Sequence, residues 1–339
     1  MRKRGENIRQ FILLAVREHP GDIAKFASEA LHISRQAVNK HLQHLVAQEA
    51  LAAEGTTRNR RYSLRPLAEK RFGYSLQGLR EDVVWRNDVA PLFSDLPDNV
   101  RAIWQYGFTE MLNNAIEHSA GSCVSVTVSR TAISTQMIIV DDGEGIFKKI
   151  RRELNLDDER HAVLELAKGK LTTDPAHHTG EGIFFSSRVF DCFRIFSGST
   201  VFSHNYGEDF DWIDEAPPVE SGTGVLMILW NNITRTTKEV FDSFTSGDDY
   251  GFTKTVVPVR LAQYGDEKLI SRSQAKRLLA RFHKFKTVVL DFVDVDSIGQ
   301  AFADEVFRVF PQEHPNVTIV EMNACPAVQQ MIDRAREHN

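Results

Sequence analysis

The stretch "FTEMLNNAIEHS", Phe108 to Ser119, decides how the chain is read, because Glu110 and Asn114 stand four residues apart inside an otherwise apolar helical pattern. Phe108, Met111, Leu112, Ala115 and Ile116 recur at i, i+3, i+4, i+7 and i+8, the spacing of one buried helix face. Glu110, Asn113, Asn114 and Glu117 then share the opposite face. An ordinary solvated helix also carries such a face, so the stretch takes its meaning from the residues on its carboxy-terminal side. "SCVSVTVSR" alternates as a strand does, and "QMIIVDDGEGIF" reads as a buried strand entering a Gly-rich turn. A long polar segment, Lys148 to Thr179, leads to "TGEGIFFSSRVFD", a Gly-x-Gly that continues as a helix. "SGTGVLMILW" is a Gly-Thr turn entering another strand. One glycine pair occurs by chance in many loops. These elements in this order are a strong signal.

On these motifs, residues 100 to 235 resemble the GHKL ATPase fold of gyrase, the heat-shock chaperone of ninety kilodaltons, mismatch-repair ATPases, histidine kinases and anti-sigma-factor kinases. The resemblance implies ATP and Mg²⁺ as cofactors. Asn114 would be the metal ligand, a hard cation wanting an oxygen such as its side-chain carbonyl. Glu110 would be the catalytic base, orienting a water or hydroxyl toward the γ-phosphate. Asp141 would accept a hydrogen bond from the adenine amine, with Gly143 and Gly145 letting the backbone pass close to the base. Of the two adjacent aspartates only Asp141 has the DxGxG spacing. Gly180 and Gly182 would meet phosphate at a helix start, and Thr223 would steady the site from a neighbouring strand. Lys148 to Thr179 would be the ATP lid. Within it Lys168 and Lys170 are read as solvated rather than phosphate-bound, and His177 and His178 as lid surface rather than metal ligands. Histidine kinases generally have asparagine where Glu110 stands, and no histidine occurs between His44 and His118 to serve as phosphoacceptor. A histidine kinase is therefore not expected.

Charge divides the chain unevenly. Residues 1 to 65 hold 12 Lys+Arg against 6 Asp+Glu, or +6, so residues 66 to 339 carry -11 of a net charge of -5. A basic amino-terminal module on an acidic body suggests a polyanionic partner. "ENIRQFILLAVREH", "DIAKFASEAL" with an aspartate cap and "SRQAVNKHLQHLVAQEAL" with Ser34 as N-cap read as three helices. "LAAEGTTRNRRYSL" reads as two strand ends around a basic tip. That order resembles the winged helix-turn-helix of bacterial transcription regulators. The resemblance implies that Ser34, Arg35, Gln36, Asn39 and Lys40 face the DNA major groove, and that Arg58, Arg60 and Arg61 in the wing contact phosphate or the minor groove. The competing reading is a winged helix used only for protein contacts.

From about residue 250 strand and helix alternate: "KTVVPVRLA" and "SRSQAKRLLARFHKF", "KTVVLDFVDV" and "GQAFADEVFRVF", "NVTIVEMN" and "PAVQQMIDRARE". "VVLDFVDVDSIGQAFADEVF" resembles STAS domains. The residue before the glycine, normally Ser or Thr in the phosphorylated members, is Ile298, and Ser297 is read as a helix cap. Cys123, Cys192 and Cys325 form no ligand pattern and are read as small core residues. No apolar run is long enough to span a bilayer, and a cytoplasmic location without membrane contact is expected.

The expected fold is thus α/β and multidomain. A winged helix-turn-helix spans 1–66, a connector 67–99, a GHKL (Bergerat) α/β sandwich 100–240 and a small STAS-like α/β domain 250–339. The expected function is an ATP-binding transcriptional regulator in which Mg-ATP, bound and in one version hydrolysed, controls DNA binding. The alternative is an anti-sigma-type serine/threonine kinase acting on a STAS-like domain or another protein. Expected partners are DNA and ATP; a regulatory protein on the STAS-like domain and a homodimer are left open.

Overall fold

The computed structural model describes residues 2–56, 59–171, 180–208, 211–245, 251–263 and 268–337. The chain divides into two compact units, one of Met1–Gly73, Ser125–Ile138 and Ile228–Ile233, the other of Tyr74–Val124, Ile139–Met227 and Thr234–Asn339.

In the first unit, helices α1 (Arg2–Ala15), α2 (Ile23–Ala30) and α3 (Arg35–Ala47) precede a hairpin of β1 (Leu51–Glu54) and β2 (Arg61–Leu64). The hairpin is antiparallel, with Leu51 opposite Leu64 and Glu54 opposite Arg61. Ile12, Val16, Ile23, Val38, Leu42 and Leu51 form one core, against which Tyr62, Leu64 and Trp230 pack. Ser34 caps α3, its hydroxyl accepting from Ala37 N at 3.2 Å. Asp22 stands at the N-cap of α2 but makes no cap bond. Its carboxylate instead meets His19 Nδ1 at 3.1 Å, and the His19 ring stacks on Phe26 at 3.8 Å. The stacked imidazole draws away the oxygen that the sequence assigned to capping.

Beyond these come β3 (Ala68–Ser75), α4 (Glu81–Val84), α5 (Asp98–His118), β4 (Cys123–Arg130), β5 (Ser134–Asp141), α6 (Ile146–Glu153), α7 (Glu159–Lys168) and α8 (Gly182–Val189). Next in the chain are strands β6 (Cys192–Ser197), β7 (Thr200–Asn205), β8 (Asp211–Glu215) and β9 (Gly224–Trp230), then α9 (Thr237–Asp242). A seven-stranded sheet has the order β3-β4-β5-β9-β6-β7-β8, with β6, β7 and β8 mutually antiparallel. Its edge strand β3 lies in the stretch expected to be a connector. "AEKRFGYS" has too few apolar residues to show strand alternation, which an edge strand does not need.

Period-2 alternation explains the strands that matter most. Val124, Val126 and Val128 face inward on β4, as do Met137, Ile139 and Asp141 on β5. Helix α5 buries Trp104, Phe108, Met111 and Leu112 as its periodicity demands. At Gly107 on the same face a Cβ would run into the Phe190 ring, which sits 4.8 Å edge-on from Trp104. Each such buried aromatic contributes about 1.5 to 3 kcal/mol.

Helix α7 departs from the expected polar lid, for Ala162 to Lys168 are all buried. The sequence looked polar because Glu165 and Lys168 lie here, but they pair with each other. Among the described residues no cysteine is in the core: Cys123 is exposed and Cys192 and Cys325 are half-buried.

The carboxy-terminal region has β10 (Lys254–Pro258), α10 (Arg272–Leu279), β11 (Thr287–Asp291), α11 (Gln300–Asp304), α12 (Phe310–Glu313), β12 (Thr318–Met322) and α13 (Pro326–Glu337). The strands form a parallel sheet in the order β10-β11-β12, with Val256, Val289 and Val320 in register. Just before β10, the Phe252 ring lies 4.5 Å from Phe184, 5.0 Å from Phe185 and 5.3 Å from Phe285. Ser297 is not a cap: the N-cap of α11 is Gly299, and no side chain bonds it. A parallel bridge between Leu269 and Ile298, with Gly299 N donating to Leu269 O at 2.7 Å, keeps the chain extended through that point.

Candidate functional site

Because Asp141 is in phase with Met137 and Ile139 on β5, its side chain enters the interior. Asp142, one residue on, turns out and accepts from Ser122 N at 2.7 Å and Cys123 N at 2.9 Å. Asp141 Oδ1 is fixed by Gly143 N at 2.9 Å and Thr223 N at 3.2 Å. Burial pushes the Asp141 carboxyl up, the two backbone donors pull it down, and the Asp142 charge adds to the rise, which prevails.

The turn after Asp141 leaves no room for side chains. A Cβ at Gly143 would strike Ser119 O, and Gly145, at φ +89°, would meet Ser197 Oγ at 2.6 Å. Thr223 Oγ1 accepts from Ile146 N at 3.0 Å, tying the turn before β9 to the first turn of α6.

Glu110, Asn114 and His118, successive turns of α5, face a cavity of about 330 Å³. Asp141, Gly145, Gly180, Gly182 and Thr223 line the same cavity, with apolar walls that include Ile139, Ile150 and Leu166. Gly143 is not among the residues that line it; its carbonyl accepts from Gly222 N at 2.7 Å. Asn114 Nδ2 is buried without a hydrogen-bond partner. Glu181, between the two glycines, also lines the cavity, and burial pushes its carboxyl up while Lys170 opposes the rise. Lys149 lines it too, its Nζ donating to His118 O at 2.8 Å.

Of the two lysines read as solvated, Lys168 is buried and Lys170 only half-buried. The Lys168 Nζ pairs with Glu165 and donates to Arg277 O and Ala280 O, both at 3.1 Å. Arg281 bonds Glu165 Oε2 at 2.8 Å, Glu165 O at 3.2 Å and Gly169 O at 2.7 Å. Lys170 Nζ donates to Lys284 O at 3.0 Å. Sequence reasoning missed this network because the groups that bury the Glu165–Lys168 pair, Arg277, Ala280 and Arg281, lie more than a hundred residues away.

In the first unit Ser34, Arg35, Gln36, Asn39 and Lys40 are all exposed on or before α3, while Val38, Leu42 and Leu45 are buried. Arg60 and Arg61 are exposed at the hairpin, with Arg60 over the Tyr62 ring at 5.8 Å. Arg58, His177 and His178 lie outside the described residues. Among the described residues no helix is long and apolar enough to cross a membrane.

No curated protein matches the chain. Residues 274–328, from α10 into α13, match the family described as "STAS-like domain of unknown function (DUF4325)", so the carboxy-terminal α/β region is a STAS-like domain.

Proposed function

We propose that this chain is an ATP-binding transcriptional regulator, with Mg-ATP in the cavity beside α5 and DNA on the amino-terminal helices and hairpin, read as a winged helix. One observation carries the nucleotide reading: Glu110, Asn114, Asp141, Gly180, Gly182 and Thr223, spread over more than a hundred residues, line a single cavity. Its volume of about 330 Å³ falls in the range of small-ligand sites.

The residues fit the group. A buried carboxylate whose Oδ1 is already occupied by two backbone donors, Asp141 is oriented to recognise an amine such as that of adenine. The unpartnered amide of Asn114 is suited to Mg²⁺, since rotating the amide by half a turn presents its oxygen instead of Nδ2. The start of α8 at Gly182 offers backbone N–H groups to phosphate. ATP would supply a transferable γ-phosphoryl group. Glu110, one turn from Asn114, would orient the attacking oxygen and take its proton. DNA binding is supported by the exposed polar stripe from Ser34 to Lys40, by exposed Arg60 and Arg61, and by the +6 charge of residues 1 to 65.

The second reading, a serine/threonine kinase, is favoured by one feature. Ser297 is half-buried and is not held as the cap of α11. Incubating the pure chain with γ-labelled ATP and Mg²⁺ separates the two. Free phosphate means hydrolysis, label on protein means transfer, and failure of calorimetry to detect nucleotide binding overturns both.

A further inference from the structure

The cavity wall carrying Leu166 and Leu171 belongs to a stretch held by the STAS-like domain. Lys168, with no solvent exposure, places its ammonium on the carbonyls of Arg277 and Ala280, which close α10. In return Arg281 sends its guanidinium to Glu165 and to Gly169 O, the C-cap residue of α7. Thr255 Oγ1 donates to Lys168 O at 2.8 Å. Thus the end of α7 and the segment from Arg277 to Arg281 exchange hydrogen bonds in both directions through largely buried charged groups.

Backbone conformation adds a second line. Arg281 has φ +68° and Lys170 φ +50°, both in the left-handed region that suits glycine better than a branched or long side chain. Each has a side chain bonded across this contact, Arg281 to Glu165 and Gly169, Lys170 to Lys284 O. The strain persists because these bonds fix both residues.

We propose that Arg281 is a positioning residue of the cavity. By holding the end of α7 it links occupancy of the cavity and seating of the STAS-like domain in one equilibrium. Ligand that favours the ordered wall then favours the seated domain, and by reciprocity a seated domain raises ligand affinity. The inference rests on the nucleotide reading of the cavity. Arg281 does not itself line the cavity, so its influence is carried by Glu165, Gly169 and α7.

Amide hydrogen exchange on the full chain, with and without Mg-ATP, tests this. Nucleotide should slow exchange over 272–285, which does not line the cavity, as well as over α7. Arg281→Ala should weaken nucleotide binding about tenfold, within the usual span of coupled sites, and abolish the slowing over 272–285. Arg281→Lys, which keeps the charge but not the planar fork, should recover part of the affinity. If Arg281→Ala does not fold, wild type and Arg281→Lys decide. Wild-type binding with no slowing over 272–285, or wild-type affinity in the variants, overturns the inference and leaves the nucleotide reading standing. No binding by the wild type removes both.

Discussion

The carboxylate of Glu110 fills the space that a side chain at Gly182 would need, so the second turn-glycine of the cavity and the candidate base on α5 are in direct contact. Backbone conformation does not demand glycine here, as Gly182 is the first residue of α8 and has no positive φ; a side chain would instead push aside the flexible end of Glu110. Gly182→Ala should therefore displace Glu110 and lower any ATP turnover by about a hundredfold, the scale of a lost general base. Circular dichroism should show the fold retained. Wild-type turnover in the variant would place the reacting end of the cavity elsewhere.

A pH effect arises at Asp141. Burial first, then the Asp142 charge, raise its carboxyl from the ordinary aspartate value against the pull of Gly143 N and Thr223 N. As pH falls from neutrality, Asp141 takes up a proton before an exposed aspartate does and ceases to be a pure acceptor. Adenosine, whose lack of phosphates removes their own titration, should bind progressively more weakly on acidification. Asp141→Asn should bind weakly at every pH. Calorimetric titrations across the acid range would show it, and a flat wild-type profile would remove Asp141 from base recognition.

Stability should depend on Glu165 more than its surface-like sequence context suggests. Glu165→Ala leaves Lys168 fully buried without its counter-charge and takes one acceptor from Arg281. Removing one partner of a buried pair costs about 3 to 5 kcal/mol. Lys168→Met should cost less, since Glu165 keeps Arg281 and the new side chain is apolar. Urea unfolding of the two variants should rank them in that order; equal midpoints would contradict it.

DNA binding offers the test that best separates a regulator from a kinase. Neutralising Arg60 and Arg61 should weaken binding similarly on all sequences, each lost phosphate contact removing about 0.9 from the logarithmic salt slope. Gln36→Ala or Asn39→Ala should instead erode preference among sequences, by about 1 to 3 kcal/mol per lost base contact. Gel shifts at two salt concentrations, with fragments from around the protein's own gene, would measure both. If the full chain shifts no DNA with or without ATP, the amino-terminal module is a protein-docking element.

Sequence made the cavity legible because its residues sit at local punctuation. Asp141 ends an alternating strand before two glycines, and Glu110 and Asn114 interrupt a periodic apolar face. The carboxy-terminal alternation was legible for the same reason, each strand being a short apolar run bounded by a turn. What escaped was set by partners distant in the chain. Asp22 lost its capping role to His19, whose ring is held by Phe26. Lys168 looked solvated until α10 supplied carbonyls. Strand β3 carries an exposed, charge-rich surface, so hydrophobic alternation had nothing to report.

The cluster around Phe252 bears on how such a chain can be cut and recombined. Phe252 precedes the STAS-like strands, yet its ring rests on Phe184 and Phe185 of α8 and fills the space beside Gly169. A fragment ending before residue 251 would bare those aromatic faces, and one starting there would carry Phe252 and Phe285 into water. A hybrid that borrows the STAS-like domain from another protein therefore needs a matching aromatic plug, without which the bared rings form an apolar patch that favours aggregation.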